Sequence, residues 1–276
     1  MRKIYLTLVT LGMVLLCACD EISPNERLTY VEPPEASRAV LIEDYTGQYC
    51  VNCPRATEEI ERLIEQYGDS VVIAVAIHSG PFSKQKGDQA PSPLYTEVGD
   101  MYFSHWKLSA QPVGLVDRLN DPGTNFPMPL NFTDWGGVVN YEFTDSPTSE
   151  APVSFYIDGD FDSESRTGSF EVQTIGLDEN RISGKLQVWL VEDSIDSFQL
   201  MPDGSRVEHY NHMHVFRASI NDPWGDDVTV GHGEVVTKNY TFVMDPTWVP
   251  KHCAIVTFLY DANGVRQVAK TKLNVN

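Results

Sequence analysis

The sequence has few basic residues, few cysteines and, beyond its N-terminus, no long apolar segment. Its 276 residues include 20 Lys and Arg against 39 Asp and Glu, which gives a formal net charge of −19. Such an acidic chain argues against nucleic acid or anionic lipid as a partner. Five cysteines that contain only one close pair do not make a disulfide scaffold. No apolar run reaches the roughly 20 residues of a membrane-spanning helix, so we expect no span.

The N-terminus has the pattern of a bacterial secretion signal. Two basic residues precede an apolar run over residues 4–16, and Leu16-Cys17-Ala18-Cys19 then resembles a lipobox. Residues 1–18 are therefore predicted to be removed, and Cys19 is predicted to carry the lipid. An ordinary signal peptide cut after Ala18, or lipidation of Cys17, are the alternatives. The small residue Ala18 favours Cys19, because the peptidase requires a small residue before the lipidated cysteine.

The predicted cleavage leaves 258 of the 276 residues and, with two basic residues lost, changes the net charge from −19 to −21. Residues 19–37 contain three prolines and few apolar residues, so they are predicted to be a flexible tether. A mature chain of this length suits two domains, which we place at residues 38–148 and 149–276.

The first of these segments has alternating strand and helix patterns. The apolar run Ala39–Tyr45 leads into Cys50-Val-Asn-Cys53-Pro54, and apolar residues then recur at helical spacing as far as Tyr67. A second apolar run, Val71–Ile77, predicts another buried strand. Two strands joined by a helix indicate a right-handed βαβ unit with the C-x-x-C where strand gives way to helix. A helix over residues 133–143 is predicted to close the segment.

The position of the C-x-x-C has a chemical consequence. The first turn of a helix presents unpaired N–H groups and the positive end of the helix dipole, which stabilise a thiolate. Cys50 is predicted to be the exposed nucleophile, and Cys53, one turn further, the resolving thiol. A static disulfide is one alternative. A zinc site with His78 as a third ligand is another.

This order of elements resembles the thioredoxin fold. The resemblance implies that Asp44, six residues before Cys50, is a buried carboxylate beneath the disulfide that accepts a proton from Cys53. It also implies a cis bond between Gln111 and Pro112, whose segment would hold a bound peptide. Val-Asn between the cysteines departs from the Gly-Pro of thioredoxin, and this leaves the reactivity of the pair in doubt.

The second segment changes to the period of strands. About seven short alternating runs, separated by turn clusters such as Asn263-Gly264, predict an all-β immunoglobulin-like sandwich. His212 and His214 are expected to share one face of a strand, with His209 in the preceding turn, and ordinary strand packing is the expected interpretation. Asp158, Asp160 and Asp162 are expected to form a solvated turn rather than a calcium loop. Cys253 is expected to be a buried, inert thiol.

Taken together, these motifs resemble the outer membrane protein 28 family of lipoproteins. The resemblance rests on residues 40–54 and 75–78 and, later, on residues 188–193 and 211–218 with Trp224-Gly225. It implies a surface-exposed lipoprotein of the outer membrane. Asp20 directly after Cys19 would indicate inner-membrane retention in enterobacteria, whereas in surface-exporting relatives of this family Asp20 and Glu21 would resemble a surface-export signal, and the resemblance favours the outer membrane. Family members are variously described as adhesins or receptors, and no reaction is established for them.

Two functions follow from these observations. The first is a tethered thiol–disulfide oxidoreductase, in which Cys50 attacks, Cys53 resolves, Asp44 relays a proton and Gln111-Pro112 holds the peptide. The second is a non-catalytic binding or adhesion lipoprotein with a structural Cys50–Cys53 disulfide and a recognition surface on the sandwich. The C-x-x-C position favours the first. Its expected partners are outer-membrane lipid, through acylated Cys19, and a disulfide-bonded or surface protein; no cofactor, metal or nucleic acid is expected.

Overall fold

A computed structural model describes residues 38–84, 92–120, 127–144, 146 and 150–276. The predicted signal peptide, the lipidation site at Cys19 and the tether lie outside these described residues. Within the described residues, no helix has both the length and the apolar character needed to cross a membrane. All of the described residues belong to one compact unit.

The described part of the segment before residue 148 contains strands and helices in alternation. Its elements are β1 (Val40–Thr46), α1 (Cys53–Tyr67), β2 (Val72–His78), α2 (Glu97–His105), β3 (Val113–Val116) and α3 (Phe132–Thr144). β1 and β2 are parallel, and β3 lies antiparallel to β1 on its other side. The predicted strand–helix–strand unit is confirmed, because parallel neighbours need a crossover and α1 supplies it.

Two helices cover one face of these strands. The apolar stripe of α1, which includes Ala56, Ile60 and Leu63, packs with Val40 and Ile42 of β1 in one buried cluster. α1 ends at Gly68, which has a φ of 101° that a residue without a Cβ adopts readily. The predicted closing helix is confirmed as α3, which adds Trp135 and Val139 to the same cluster.

The chain after residue 150 consists of strands and one short 3₁₀ helix, Pro250–His252. The strands are β4 (Val153–Asp162), β5 (Thr167–Gly176), β6 (Ile182–Glu192), β7 (Ile195–Leu200), β8 (Arg206–His212), β9 (Val215–Ser219), β10 (Asp226–Val230), β11 (Val235–Val243), β12 (Cys253–Asp261), β13 (Gly264–Lys272) and β14 (Asn274–Val275). The protein is therefore mostly β-structure.

The larger sheet contains strands from both segments. Its order is β13-β12-β6-β9-β2-β1-β3, and β10 also pairs with β6. The two segments meet where Ala76 of β2 pairs with Val215 of β9. A second sheet has the order β11-β5-β4-β14, and β7 and β8 form a separate hairpin. The predicted boundary at residues 148 and 149 thus marks a change in the type of element, and one sheet continues across it.

A shared core explains why the sheet is continuous. The face of β1 that points away from α1 presents Leu41 and Tyr45, which are fully buried. They belong to the same apolar cluster as Trp189, Phe216 and Phe258 from β6, β9 and β12. Removing these aromatic side chains from water stabilises the joined arrangement, because the hydrophobic effect grows with the apolar area buried.

Candidate functional site

The C-x-x-C lies at the junction that the sequence predicts. Cys50 and Cys53 form a disulfide with their Cα atoms 5.4 Å apart. α1 begins at Cys53, with Asn52 before it and Pro54 in the first turn. Proline costs little in the first turn because its missing N–H would have no partner within the helix.

Both cysteines are buried, which corrects one prediction. Cys50 is 2% exposed and Cys53 is 1% exposed, so Cys50 is not the exposed nucleophile that the helix position predicts. Val51 and Asn52, between the two cysteines, are exposed. The β7–β8 hairpin, which follows about 150 residues later in the chain, contributes to this cover, because its Gln199 and Tyr210 line a small cavity with Cys53.

The hairpin is hydrogen-bonded directly to the backbone around Cys50. The side-chain amide of Gln199 donates to the carbonyl of Cys50 at 3.0 Å and to that of Gly47 at 3.4 Å. The N–H of Leu200 donates to the carbonyl of Gln48 at 2.9 Å. The end of β7 therefore lies against the loop that leads into the disulfide.

Gln48 and Tyr49 make the reciprocal contacts. The amide of Gln48 donates to the hydroxyl of Ser197 at 2.9 Å and to the carbonyl of Phe198 at 2.6 Å. Its carbonyl oxygen accepts a hydrogen bond from the Ser92 hydroxyl. The rings of Tyr49 and Phe198 pack with their centroids 5.1 Å apart. Polar and apolar contacts thus both hold the hairpin in place.

Gln111 lies just before β3, and its side chain is hydrogen-bonded to the backbone of neighbouring loops. Its amide donates to the carbonyls of Thr46 at 2.7 Å and Ser79 at 2.9 Å, and its oxygen accepts from the N–H of Phe82 at 3.3 Å. The Gln111–Pro112 bond is cis, as predicted. The side-chain amide of Gln111 thus joins the ends of β1 and β2. The role of Gln111 and Pro112 in peptide binding stays a prediction.

Asp44 is buried on the face of β1 that packs against α1. Side chains alternate along a strand, so Asp44 faces the same way as Val40 and Ile42. It is 1% exposed, and its Oδ1 has no hydrogen-bond partner among the described residues. Burial raises the pKa of Asp44 to about 8, because a charged carboxylate is poorly solvated there. The carboxyl group therefore holds its proton at neutral pH.

Two histidines from distant segments lie beside Cys53. His78 and His212 line a cavity of about 20 Å³ together with Cys53 and Tyr210, and the two imidazole rings are 5.4 Å apart. Burial lowers the pKa of His78 well below its usual value and that of His212 to about 4. Both rings are therefore neutral at physiological pH. The cavity is far smaller than the roughly 300–1,000 Å³ of ligand pockets.

The other sequence-predicted groups are dispersed. His209 and His212 lie in β8, but His214 lies after it with a φ of 58°, so the prediction that His212 and His214 share a strand face is wrong. Asp158, Asp160 and Asp162 occupy an exposed face of β4 rather than a turn. In the part of the chain that the structure describes, no three His, Cys, Asp or Glu residues are grouped to hold a metal ion.

Cys253 is the buried thiol that the sequence predicts. It is 2% exposed and unbonded to another cysteine, and its sulfur donates weakly to the carbonyl of Val249 at 3.4 Å. Burial raises the pKa of Cys253 to about 12. Because only the thiolate is nucleophilic, this cysteine is inert at neutral pH.

Comparison with known proteins gives a family and a fold. The family model described as "Outer membrane protein Omp28" matches residues 99–276. The structure is similar to HBP35 of Porphyromonas gingivalis, with a TM-score of 0.65 and 14% identity, over 86% of this chain and 76% of that one. It is also similar to a protein of Agrobacterium tumefaciens, with a TM-score of 0.52 and 16% identity, over 87% and 97% of the two chains. No curated protein matches the sequence.

Proposed function

The chain belongs to the outer membrane protein Omp28 family, and from that premise we propose that it is a lipid-anchored outer-membrane protein that binds a ligand and uses Cys50–Cys53 as a structural disulfide. Location at the outer membrane follows from the family. The lipid on Cys19, exposure at the cell surface and the absence of catalysis are the proposal. Of the two functions open from the sequence, this is the one that the geometry supports better.

The observation that carries the proposal is the hairpin over the disulfide. Five hydrogen bonds join the hairpin to Gln48 and to the carbonyls of Gly47, Gln48 and Cys50. At about 1 kcal/mol for each hydrogen bond, moving the hairpin away from the disulfide costs about 5 kcal/mol of free energy. A disulfide that is accessible in only about one molecule in several thousand suits a crosslink better than a reaction centre.

A thioredoxin-like origin of the strand–helix part belongs to the same proposal. Parallel β1 and β2, joined by a helix that begins at Cys53, support it, as does antiparallel β3 beside β1. In this interpretation the scaffold keeps its disulfide, and strands β4–β14, proposed to derive from an immunoglobulin-like sandwich, supply the cover.

The lipid anchor can be tested by replacing its predicted cysteine. Cys19→Ala is expected to move the protein from the membrane pellet to the soluble fraction, because no other anchor is predicted. Cell fractionation and immunoblotting measure this. Cys17→Ala is the matched control and should stay in the membrane. If Cys17→Ala is released instead, Cys17 carries the lipid; if neither variant is released, the anchoring proposal fails.

The absence of catalysis can be tested with a trapping variant. Cys53→Ser leaves Cys50 without its resolving thiol, so a catalytic Cys50 would accumulate as a mixed disulfide with a substrate. We expect native Cys53→Ser to trap no protein disulfide and the wild type to leave the rate of insulin reduction by a dithiol unchanged. Mass spectrometry and turbidity measure the two results. Insulin reduction by the wild type together with trapping through Cys50 would replace the proposal by the oxidoreductase.

One observation favours the thiol–disulfide oxidoreductase instead. Asp44 is a buried carboxyl group with a raised pKa, on the strand face below α1. In the oxidoreductase, the Cys50 thiolate attacks one sulfur of a substrate disulfide and releases the other as a thiolate. Cys53 loses its proton to the ionised form of Asp44, which is the minor form at neutral pH and becomes the major form above about pH 8. The Cys53 thiolate then attacks the sulfur of Cys50, frees the second substrate sulfur and leaves the Cys50–Cys53 disulfide. A dithiol reductant must return two electrons to the pair before the next cycle.

A further inference from the structure

A cleft lies where the start of β2 meets β13 and the 3₁₀ helix before β12. It consists of two adjoining cavities of about 310 and 250 Å³, which share Asp193, Met213 and Lys272. Together they are far larger than the cavity beside Cys53, and each is close to the lower end of the range for ligand pockets. The cleft shares Met213 with the cavity beside Cys53, but neither Cys50 nor Cys53 lines it.

Three lysines line this cleft. Lys270 and Lys272 are two residues apart in β13, so their side chains share a face of that strand. Lys251 lies in the 3₁₀ helix, just before β12, and Ala254 of β12 pairs with Lys272. The pairing of β12 with β13 thus places the three lysines along one cleft.

Asp193 neutralises one of these lysines and fixes its position. Its carboxylate accepts a hydrogen bond from the backbone N–H of His214 at 2.6 Å and contacts Nζ of Lys270 at 3.2 Å. Although burial raises the pKa of Asp193, the hydrogen bond from the His214 ring and the charge of Lys270 hold that pKa well below its usual range. Asp193 therefore stays ionised and paired on one wall of the cleft.

Lys251 and Lys272 have no such partner. Among the described residues, no carboxylate lies within 4.0 Å of either ammonium group. The chain carries nearly twice as many acidic as basic residues, yet these two lysines face the smaller cavity together. Asp69 lines only the larger cavity. Asp193 also lines the smaller cavity, but it is paired with Lys270. The two exposed lysines therefore give the lining of this cavity a net positive charge on a protein that is otherwise strongly negative.

His252 also lines the smaller cavity. Its Nδ1 is buried without a hydrogen-bond partner in the described part of the chain, and its ring lines the cavity with Lys251 and Lys272. The hydroxyl-bearing Ser194 completes the polar wall.

We propose that the cavity between Lys251 and Lys272 binds the phosphate group of a small soluble molecule. Ammonium groups act as separate point charges and suit a tetrahedral oxyanion whose oxygens point in several directions, whereas a planar carboxylate is better matched by the fork of an arginine. The net charge of the chain disfavours an anionic membrane surface as the source. The site rests on the proposed function, since it specifies the ligand class of the binding protein.

The experiment uses the full chain in detergent and inorganic phosphate as the probe. Isothermal titration calorimetry at low salt should show saturable binding that Lys251→Gln with Lys272→Gln weakens at least about tenfold, because two charge-assisted contacts are lost. The double variant Lys185→Gln with Lys238→Gln changes the net charge equally at residues outside these cavities and should bind as the wild type does. Acetate should bind more weakly than phosphate.

Three results would overturn the site. They are no saturable phosphate binding by the wild type at millimolar concentration, equal weakening in both double variants, and binding to phosphatidylglycerol vesicles without binding to free phosphate. Failure of the proposed function is separate from these. An insulin-reducing disulfide with intact phosphate binding would remove the structural role of Cys50–Cys53 and leave the phosphate site standing.

Discussion

Asp44→Asn is expected to change the pH dependence of stability by about 5 kcal/mol between pH 4 and pH 9. The pKa of the carboxyl group is near its ordinary value of 3.8 in the unfolded chain, and burial raises that pKa to about 8 in the fold. Each pKa unit corresponds to about 1.4 kcal/mol. Between these two values the folded protein keeps a proton that the unfolded chain has lost, so this contribution to stability falls as the pH rises. Asparagine carries no such proton.

The difference between the two proteins isolates this effect. Burial also raises the pKa of Asp117 to about 7 and lowers that of His212 to about 4, but these contributions are common to both proteins and cancel. Urea unfolding of wild type and Asp44→Asn, with the disulfide intact, should show the wild type losing stability relative to the variant up to pH 8 and then running parallel. Curves that run parallel from pH 4 to 9 would show that Asp44 is ionised in the fold.

Gln199→Ala is expected to increase the rate at which the native disulfide is reduced by about 10- to 100-fold. The substitution removes the bonds from the amide to the carbonyls of Gly47 and Cys50. At about 1 kcal/mol each, together with the loosened packing of the hairpin, this raises the population in which the pair is uncovered. A time course of dithiothreitol reduction, quenched with a maleimide of high mass and read by gel shift, measures the rate.

A matched variant separates the hairpin from general destabilisation. Gln173→Ala removes a partly buried glutamine of β5, in the smaller sheet, whose amide bonds to Glu171. Its disulfide should be reduced at the wild-type rate. Equal rates for Gln199→Ala and the wild type would mean that the hairpin does not control access to the pair.

Local patterns predicted the first segment because its decisive contacts are close in sequence. The strand before Cys50, the helical spacing after Cys53 and the next apolar run are each contained within about 15 residues. The same patterns place Asp44 on a buried strand. The resemblance to thioredoxin supplied the cis bond before Pro112, which composition and spacing do not indicate.

The cover over the disulfide could not be read in this way. Leu200 of the hairpin bonds to Gln48, about 150 residues earlier in the chain. Most residues of β7 and β8 are exposed or half-buried. Their sequence pattern does not indicate which part of the protein they pack against. The shared sheet was missed for a similar reason, because the strands of the two segments join in that sheet through the single pair Ala76 and Val215. The continuous apolar run of β1 indicates burial on both faces. It does not say that strands from the second segment cover one of them.

The lysine cleft is the most distant of these features from any local motif. Its residues come from the chain near positions 193, 214, 251 and 270, and each is unremarkable where it stands in the sequence. Only the pairing of β12 with β13 brings Lys251 near Lys272. Charge counting predicts the opposite, a surface that repels anions.

The central claim is that the β7–β8 hairpin keeps Cys50–Cys53 covered and oxidised in the folded protein. Equilibration of the native protein with dithiol redox buffers at pH 7, followed by alkylation and mass spectrometry, tests it most directly. We predict a reduction potential below about −300 mV, as in structural disulfides, with Cys253 unlabelled until the protein is denatured. A potential within the range of about −120 to −270 mV of thiol–disulfide oxidoreductases, with Cys50 alkylated rapidly in the folded state, would contradict the account.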